Sequence, residues 1–423
     1  MYQIALWTYL CAVAILSLFD RKVRAMWRGE RRAIGTIKAK LDPQAKYVWV
    51  HAASLGEFEQ GRPIIEHIKE NYPEYKVLLT FFSPSGYEVR KDYEGADIIC
   101  YLPLDTIRNA RRFLRTIRPV CALFIKYEFW YNYLHILKHR GVPVYSVASI
   151  FRPDQIFFKW YGKQYGKVLK CFTHFYVQND QSKSLLATLG IDNVTVTGDT
   201  RFDRVISIAE QAKNIDAVEQ FLSADKGKKV FVAGSSWQPD EEIFIPYFRQ
   251  HDDWTLIIAP HVIDESHLQQ IESLLGENSF SCFRYTDIAE GKASTVTGNG
   301  KKALIINCFG LLSSIYRYAD VTYVGGGFGV SIHNLPEAAV WGKPVIFGPE
   351  NRKFAEAQDL KACGGGIEIT DAAAFRAAMD RFGSDPAYLA KCSKAAHDYV
   401  ESKAGATKAI ISALKLSVKG KIK

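Results

Sequence analysis

The chain has 423 residues, 48% hydrophobic and 13% aromatic, with a formal net charge of +9. That length calls for more than one domain, and that apolar content excludes a disordered chain. The charge is uneven: residues 1–200 carry 28 Lys and Arg against 18 Asp and Glu, while residues 201–423 carry 26 against 27. The basic excess therefore lies in the first half, where an anionic surface or substrate would meet it.

Residues 1–19 contain no charged side chain. Spanning a bilayer takes roughly 20 apolar residues, so this run reads as a membrane anchor, with Trp7 and Tyr9 suited to an interface. Residues 20–46 form a basic juxtamembrane segment with nine basic and three acidic residues. A cleaved signal peptide places its positive charge before the apolar run, the reverse of this order. The segment thus predicts an uncleaved anchor, either a single span or a helix lying in one leaflet, with the body in the cytoplasm. A buried N-terminal helix is the plainer alternative. Eight cysteines are scattered singly without a CxxC pair, so they read as small core residues in a reducing compartment, and no metal site is expected.

Beyond residue 46, short apolar runs alternate with helical patterns. Strands are predicted at 47–53, 76–82, 98–102, 121–126, 142–148, 174–178 and 194–197, with helices such as 58–71 and 128–140 between them. Runs apolar throughout suit strands buried on both faces of a parallel sheet. Residues 205–229 are polar and read as a linker. A second alternation follows, with strands at 230–233, 255–259, 303–306, 321–324 and 344–347. Residues 280–300 read as a loop or short edge element. Closing helices begin at Asp371, and the chain ends in Lys419, Lys421 and Lys423. The predicted fold is α/β, with two Rossmann-like domains at 47–204 and 230–423 facing a central cleft. Ligands would meet the carboxyl ends of the strands.

Six motifs sit at such strand ends. In His51-Ala-Ala-Ser54-Leu-Gly56-Glu57, Ser54 and Glu57 have capping-box spacing, and Glu57 also stands where a base would take a proton from an acceptor hydroxyl. Ser83-Pro-Ser85-Gly86 is a turn whose N–H groups suit an anion or simply cap a helix. In Lys126-Tyr-Glu128-Phe-Trp130, a carboxylate is crowded by aromatics, which calls for a raised pKa or a partner. In Gly198-Asp199-Thr-Arg201, Arg201 either neutralises an anion or pairs with Asp. Gly234-Ser235-Ser236-Trp237 opens the second alternation with small residues but is not a P-loop. The strongest signal is Gly325-Gly326-Gly327-Phe-Gly329, followed by His333-Asn334-Leu335-Pro336-Glu337. There a glycine turn meets a helix start, an arrangement that can cradle a phosphate or be a structural turn, with Asn334 as the expected N-cap.

Taken together, HAASLGE, FSPSG, KYEFWYN, GDTRFD, GSSW, APH and GGGF…HNLPEAAVWGKPVIFGP resemble the 3-deoxy-D-manno-octulosonic acid (Kdo) transferases of lipopolysaccharide core synthesis. The resemblance implies a GT-B type fold and an N-terminal anchor at the cytoplasmic face of the inner membrane. It implies inverting, metal-independent transfer of Kdo from CMP-Kdo to a lipid A precursor, with no cofactor. By position, Glu57 would be the general base, and Glu128 and Arg201 would support the transition state. Donor contacts would be Pro260, His261, Phe309, Gly310, Leu311, Asn334, Leu335, Pro336 and Glu337, joined by Ser235, Ser236, Gly326 and Gly327. Ser54, Gly56, Ser83, Ser85 and Gly86 would lie on the acceptor side. Two departures stand out. His261 replaces the family's Arg, and Leu311 replaces its acidic residue. Another GT-B nucleotide-sugar transferase, a nucleotide-sugar 2-epimerase and an anchored binding protein are the competing readings. Nucleic-acid binding is disfavoured, because the basic residues lack interleaved aromatics.

Overall fold

The computed structural model describes residues 2–223, 225, 227–292, 300–329 and 331–414. The expected edge segment between 293 and 299 and the terminal lysines lie outside the described residues, as does the Trp7 side chain. The chain divides into two compact units. One holds residues up to 204 together with the last helix, and the other runs from 205 to 404.

The first unit is built on seven parallel strands: β1 (Lys46–His51), β2 (Tyr75–Phe81), β3 (Ile98–Tyr101), β4 (Cys121–Ile125), β5 (Val144–Ser149), β6 (His174–Val177) and β7 (Val194–Val196). Their order is β3-β2-β1-β4-β5-β6-β7. Six helices matter here: α1 (Tyr2–Phe19), α2 (Arg21–Lys40), α3 (Leu55–Asn71), α4 (Pro84–Arg90), α5 (Ile107–Ile117) and α6 (Tyr131–His139). Side chains alternate across β1. Tyr47 and Trp49 face a core closed by Ile34 and Ile37 of α2, Phe113 and Leu114 of α5 and Tyr133 of α6. Val48 and Val50 face the other core, closed by Phe58, Ile64, Ile65 and Ile68 of α3. Both faces are covered, which is why these strands read as continuous apolar runs.

The closing segment differs from expectation. Its last helix, Ala406–Ala413, puts Ile410 and Ile411 into the α3 core of the first unit instead of closing the second. Asp203 fixes its start by accepting the Gly405 and Thr407 N–H groups at 2.6 Å each. The expected linker, residues 205–229, holds most of the helix Thr200–Gln211 and the whole of the helix Asp216–Ser223, whose polar composition hid them.

The second unit also has seven parallel strands: β8 (Lys229–Ser236), β9 (Trp254–Pro260), β10 (Phe280–Arg284), β11 (Lys301–Ile305), β12 (Val321–Val324), β13 (Val345–Phe347) and β14 (Gly366–Glu368). The order is β10-β11-β9-β8-β12-β13-β14. β10 is the edge element expected within 280–300. β14 escaped the sequence reading, because three residues beginning with Gly carry no strand signature.

The single-span anchor is not supported. α1 has 18 residues, about 27 Å at 1.5 Å per residue, short of a hydrocarbon core of about 30 Å. No helix among the described residues is long and apolar enough to cross a membrane. α1 instead packs Val13 against Met26 of α2 and Tyr101 of β3, and leaves Ile15, Leu16, Leu18 and Phe19 exposed.

α2 carries a buried carboxyl, Glu30, beside a cavity of about 240 Å³ lined by Trp27, Leu104 and Arg112. Burial pushes its pKa to about 8, against the Leu104 N–H bond, which lowers it. A carboxyl with a raised folded pKa is ionised in the unfolded chain first. Stability therefore falls as pH rises from its ordinary value toward 8, and levels off above that. Glu30→Gln is expected to remove this slope and raise the melting temperature at pH 8, but not at pH 4. Thermal unfolding followed across that range checks it.

Candidate functional site

In both sheets the strand order reverses once, between β1 and β4 and between β8 and β12. Ligands of open parallel sheets bind outside the carboxyl ends at such a switch point. The loop after β1 leads to Glu57, and the loop after β4 carries Glu128. The loop after β8 holds Trp237, and that after β12 holds the glycine run.

In the first unit, Ser54 is the N-cap of α3, and its backbone N–H donates to Glu57 Oε2 at 3.1 Å. This is the Glu57 half of the expected capping box, and it fixes the carboxylate at the strand end. Gly56 is exposed within the same turn. Burial, then the charge of Glu128, raise the Glu57 pKa above the usual carboxylate range. The neighbouring His51 and the Ala53 and Ser54 N–H groups pull against them. Glu128 is the partnered carboxylate that its aromatic surroundings called for. Trp130 Nε1 donates to its Oε2 at 2.6 Å, and His51 Nε2 lies 3.2 Å from the same oxygen. Lys126, between β4 and Glu128, adopts a left-handed φ of 59°. Such a conformation costs a non-glycine residue about 1 kcal/mol or more and is held by its surroundings.

Arg201 is tied to Asp199. Its backbone N–H donates to Oδ1 at 2.9 Å, and its Nε donates to Oδ2 at 2.8 Å. Asp199 in turn accepts from Gln60 Nε2 at 3.1 Å. Gln60 lies one turn beyond Glu57 on α3, so one helix positions both the base candidate and the guanidinium. The Asp pair expected as the plain alternative is therefore present, and it orients Arg201 at the same time. Ser83 caps α4, accepting from Ser85 N–H, and the two hydroxyls lie 2.9 Å apart. Gly86 is buried because a Cβ there would collide with Phe81 and crowd the Ser54 backbone. Its glycine is explained by packing between α4 and β2.

In the second unit, the glycine run is held by Asp240, which is fully buried. Its Oδ2 accepts the Gly326 N–H at 2.8 Å and the Trp237 N–H at 2.9 Å, while Oδ1 accepts the Tyr323 hydroxyl at 2.7 Å. Gly326 has φ 93°, and a side chain there would meet the Ser331 carbonyl. Gly327 packs on Gly348. Ser236, expected as a donor contact, is buried and donates to Glu241 Oε1 at 2.7 Å. Ser235 carries a left-handed φ of 52°.

Asn334 is not a side-chain cap. Leu335 is the N-cap of the one-turn helix Pro336–Ala339, and Asn334 Nδ2 donates to Glu337 Oε1 at 2.8 Å. Pro260 ends β9, followed by His261, whose ring stacks between Trp237, at 4.9 Å, and His333, at 4.2 Å. Trp237 Nε1 donates to His333 Nε2 at 3.2 Å. Burial, then the neighbouring His261, lower the His333 pKa to about 4. Phe309 is 81% exposed, Gly310 has φ 91°, and Leu311 caps the helix Leu312–Ile315. These are loops at the carboxyl ends of β8, β9, β11 and β12.

Sequence reasoning missed His51, Gln60, Asp240 and His333 as site groups. A histidine ending the apolar run Val48-Trp-Val was the available signal, since a buried polar residue needs a partner. Asp240 stands three residues after Trp237, the same capping spacing as Ser54 and Glu57, which was the available signal for it.

Residues 28–204 match the profile of a family described as 3-deoxy-D-manno-octulosonic-acid transferase (kdotransferase). A 3-deoxy-D-manno-octulosonic acid transferase of Bordetella pertussis is 28% identical over 420 residues, covering 92% of this chain and 94% of that protein. The resemblance to Kdo transferases holds along most of the chain. A bifunctional glycosyltransferase/methyltransferase of Fusobacterium nucleatum is 27% identical over 72% of this chain, but the match spans only 47% of that larger protein. Among solved structures, UDP-GlcNAc 2-epimerase from Neisseria meningitidis superposes with a TM-score of 0.62 at 16% identity, over 87% of this chain and 99% of that one. MurG from Acinetobacter baumannii does so at 0.54 and 11% identity, over 87% and 98%. Structural likeness at that identity shows the fold alone, which a transferase and an epimerase share. The sequence similarity, and not the structural likeness, is what points to the Kdo transferases.

Asp240 allows a direct test of the glycine loop. Asp240→Ala would leave the Gly326, Trp237 and Tyr323 donors unpaired in the interior, a loss of about 3 kcal/mol or more. Asp240→Asn keeps one accepting oxygen and is expected to cost less. Urea midpoints of the two variants rank the effect.

Proposed function

We propose that this protein transfers Kdo from CMP-Kdo to the 6-hydroxyl of a phosphorylated lipid A precursor (lipid IVA), with inversion and without a bound metal. The observation that carries the reading is Glu57: a half-buried carboxylate at the switch point of the first sheet, oriented by a backbone N–H, with its proton affinity raised. A base that must take a hydroxyl proton as the oxygen attacks works best when its pKa approaches the working pH. The acceptor oxygen forms a bond to the anomeric carbon of Kdo, its proton passes to Glu57, and the bond from that carbon to the CMP phosphate breaks. Glu128 and Arg201 would support the charge that shifts during this step. The acceptor would lie near Ser54, Gly56 and Ser83–Gly86.

The second unit would bind CMP-Kdo through the loops that carry His261, Phe309–Leu311 and Asn334–Glu337. Phe309 offers an exposed ring for a base to stack on, and the Trp237–His261–His333 stack stands where the family has an arginine. The donor bond is already activated, so positioning and one base suffice.

The N-terminus supports attachment at the cytoplasmic face of the inner membrane. α1 leaves Ile15, Leu16, Leu18 and Phe19 exposed beside the basic α2, the pattern of a helix lying in one leaflet. Arg108, Arg111, Arg112, Arg115 and Arg118 of the α5 region are all exposed and would meet anionic headgroups.

Glu57→Gln is expected to reduce Kdo transfer at least ~100-fold while CMP-Kdo still binds. The measurement is product mass after incubation with CMP-Kdo and lipid IVA, with UDP-GlcNAc as the competing donor. In the unmodified protein, activity falls as pH drops through the Glu57 pKa, because the base works only when ionised. That acid limb is expected above the ordinary carboxylate range. Separately, Leu18→Asp with Phe19→Asp is expected to weaken binding to phosphatidylglycerol vesicles in a flotation assay, leaving the melting temperature unchanged.

A further inference from the structure

His51 is fully buried at the end of β1, and nothing in the proposed reaction uses it. Its surroundings are built from three elements. On one side, Nδ1 lies 2.9 Å from the Thr80 hydroxyl of β2 and 3.1 Å from the Thr80 carbonyl. That hydroxyl accepts from Trp49 Nε1 at 2.8 Å. On the other side, Nε2 lies 3.2 Å from Glu128 Oε2, which also accepts from Trp130 Nε1 at 2.6 Å. The rings of Phe124 and Trp130 meet the imidazole edge-on at 5.7 and 5.5 Å, which fixes its plane.

Donors and acceptors along this line can be matched consistently, although the Thr80 hydroxyl also lies 3.4 Å from the Val50 carbonyl. Trp49 N–H donates to Thr80 Oγ1, and the Thr80 hydroxyl donates to His51 Nδ1. The remaining ring proton then sits on Nε2 and points at Glu128. If the ring gains a second proton, Nδ1 donates to the Thr80 carbonyl instead, and Nε2–H still points at Glu128. Both states present the same donor to the same oxygen. The ionisable groups that face this imidazole are Glu128, from the loop after β4, and Glu57, from α3, whose proton affinity carries opposing contributions from both partners.

We propose that His51 is a positioning residue: held by the Thr80 hydroxyl, it donates Nε2–H to Glu128 and fixes that carboxylate beside Glu57 for the transfer step. Both N–H donors converge on Oε2, so Oε1 is the oxygen turned to the reactants. The arrangement follows the general case in which the partner of a functional group sets its orientation, and in which losing such a partner costs 10- to 100-fold in activity. The proposal rests on the reading of Glu57 and Glu128 given above.

The test is a double-mutant cycle on Kdo transfer from CMP-Kdo to lipid IVA. A glutamine amide nitrogen reaches the place of Nε2, whereas an asparagine amide reaches only that of Nδ1. His51→Gln should therefore keep most of kcat, and His51→Asn should lose about 10- to 100-fold, with KM for CMP-Kdo unchanged. In a Glu128→Gln background, His51→Asn should cost less than about twofold more, because it acts through the carboxylate. Additive losses, or equal losses in the Gln and Asn variants, would overturn the proposal. Thr80→Val, which keeps the shape and removes the hydroxyl, should lower kcat severalfold, and an unchanged kcat would equally overturn it. This variant covers the case in which His51→Asn fails to fold. Full activity of Glu57→Gln would sink the base assignment itself, and that result is read separately from the cycle.

Discussion

Both sheets obey one constraint: every strand is parallel to its neighbours. A parallel strand is reached only by a crossover, so all strands of a sheet deliver their following loops to one edge. Where the order reverses, the loops on either side leave in opposite directions and open a crevice. Glu57 and Glu128 flank that point in the first unit, and Trp237 and Gly325 flank it in the second. The same edges collect the backbone strain. Lys126, Ala148 and Ser235 hold left-handed φ values of 59°, 50° and 52° at the ends of β4, β5 and β8. Each costs about 1–3 kcal/mol and is maintained by the surrounding sheet.

Buried carboxylates play two parts in this chain. Most act as pins, as Asp105 does for the start of α6 by accepting the Asn132 and Tyr133 N–H groups. In the second unit two more do so. Asp240 gathers three donors to the glycine loop, and Glu241 accepts from Ser236 and pairs with His267 at 3.0 Å. His267 also faces the Val262 carbonyl through Nδ1, so both ring nitrogens face acceptors. The Glu241 bond, set against burial, raises its pKa. Its stabilising contribution is thus complete below the ordinary imidazole value and fades as pH climbs through the raised one. In the first unit, Glu57 accepts the Ser54 N–H at 3.1 Å, and its proton affinity is raised by burial and by a neighbouring charge. A fully satisfied carboxylate is structural. One left short of donors beside another carboxylate is poised to take a proton.

Much of this was legible in the residues. All seven strands of the first sheet and five of the second announced themselves as apolar β-branched runs, because parallel strands are buried on both faces. β14 did not, being short and glycine-led. Residues 205–229 were read as linker, since the polarity of the helices there outweighed a periodicity that only shows once one face is buried. The last helix was assigned to the wrong unit, because a local pattern carries no information about which core a terminal helix joins. Glu57, Glu128 and Arg201 were legible as strand-end residues. The Asp199 partner of Arg201 was legible too, two residues away, but His51 beside Glu128 and Gln60 beside Asp199 are pairings over 77 and 139 positions that nothing local marks.

The glycine run shows how a signal can be right in place and different in cause. Read from sequence, Gly325–Gly327 suggested a cradle for phosphate. In the structure the small residues are demanded by protein backbone: Ser235, Ser331 and Gly348 stand where side chains would go. What remains exposed beside them is the aromatic stack. His261 stands where the resemblance to Kdo transferases leads to the expectation of an arginine. Partial desolvation lowers its pKa, and His333 beside it is pushed to about 4, so near neutral pH the pair carries little charge. Trp237 donates to His333 Nε2, which leaves the ring proton of neutral His333 on Nδ1. A guanidinium offers charge and a fork of donors, while this stack offers flat surface and a directional N–H. On the proposed reading, recognition of the donor in this chain shifts from ion pairing toward stacking and backbone N–H groups, and so toward weaker dependence on salt.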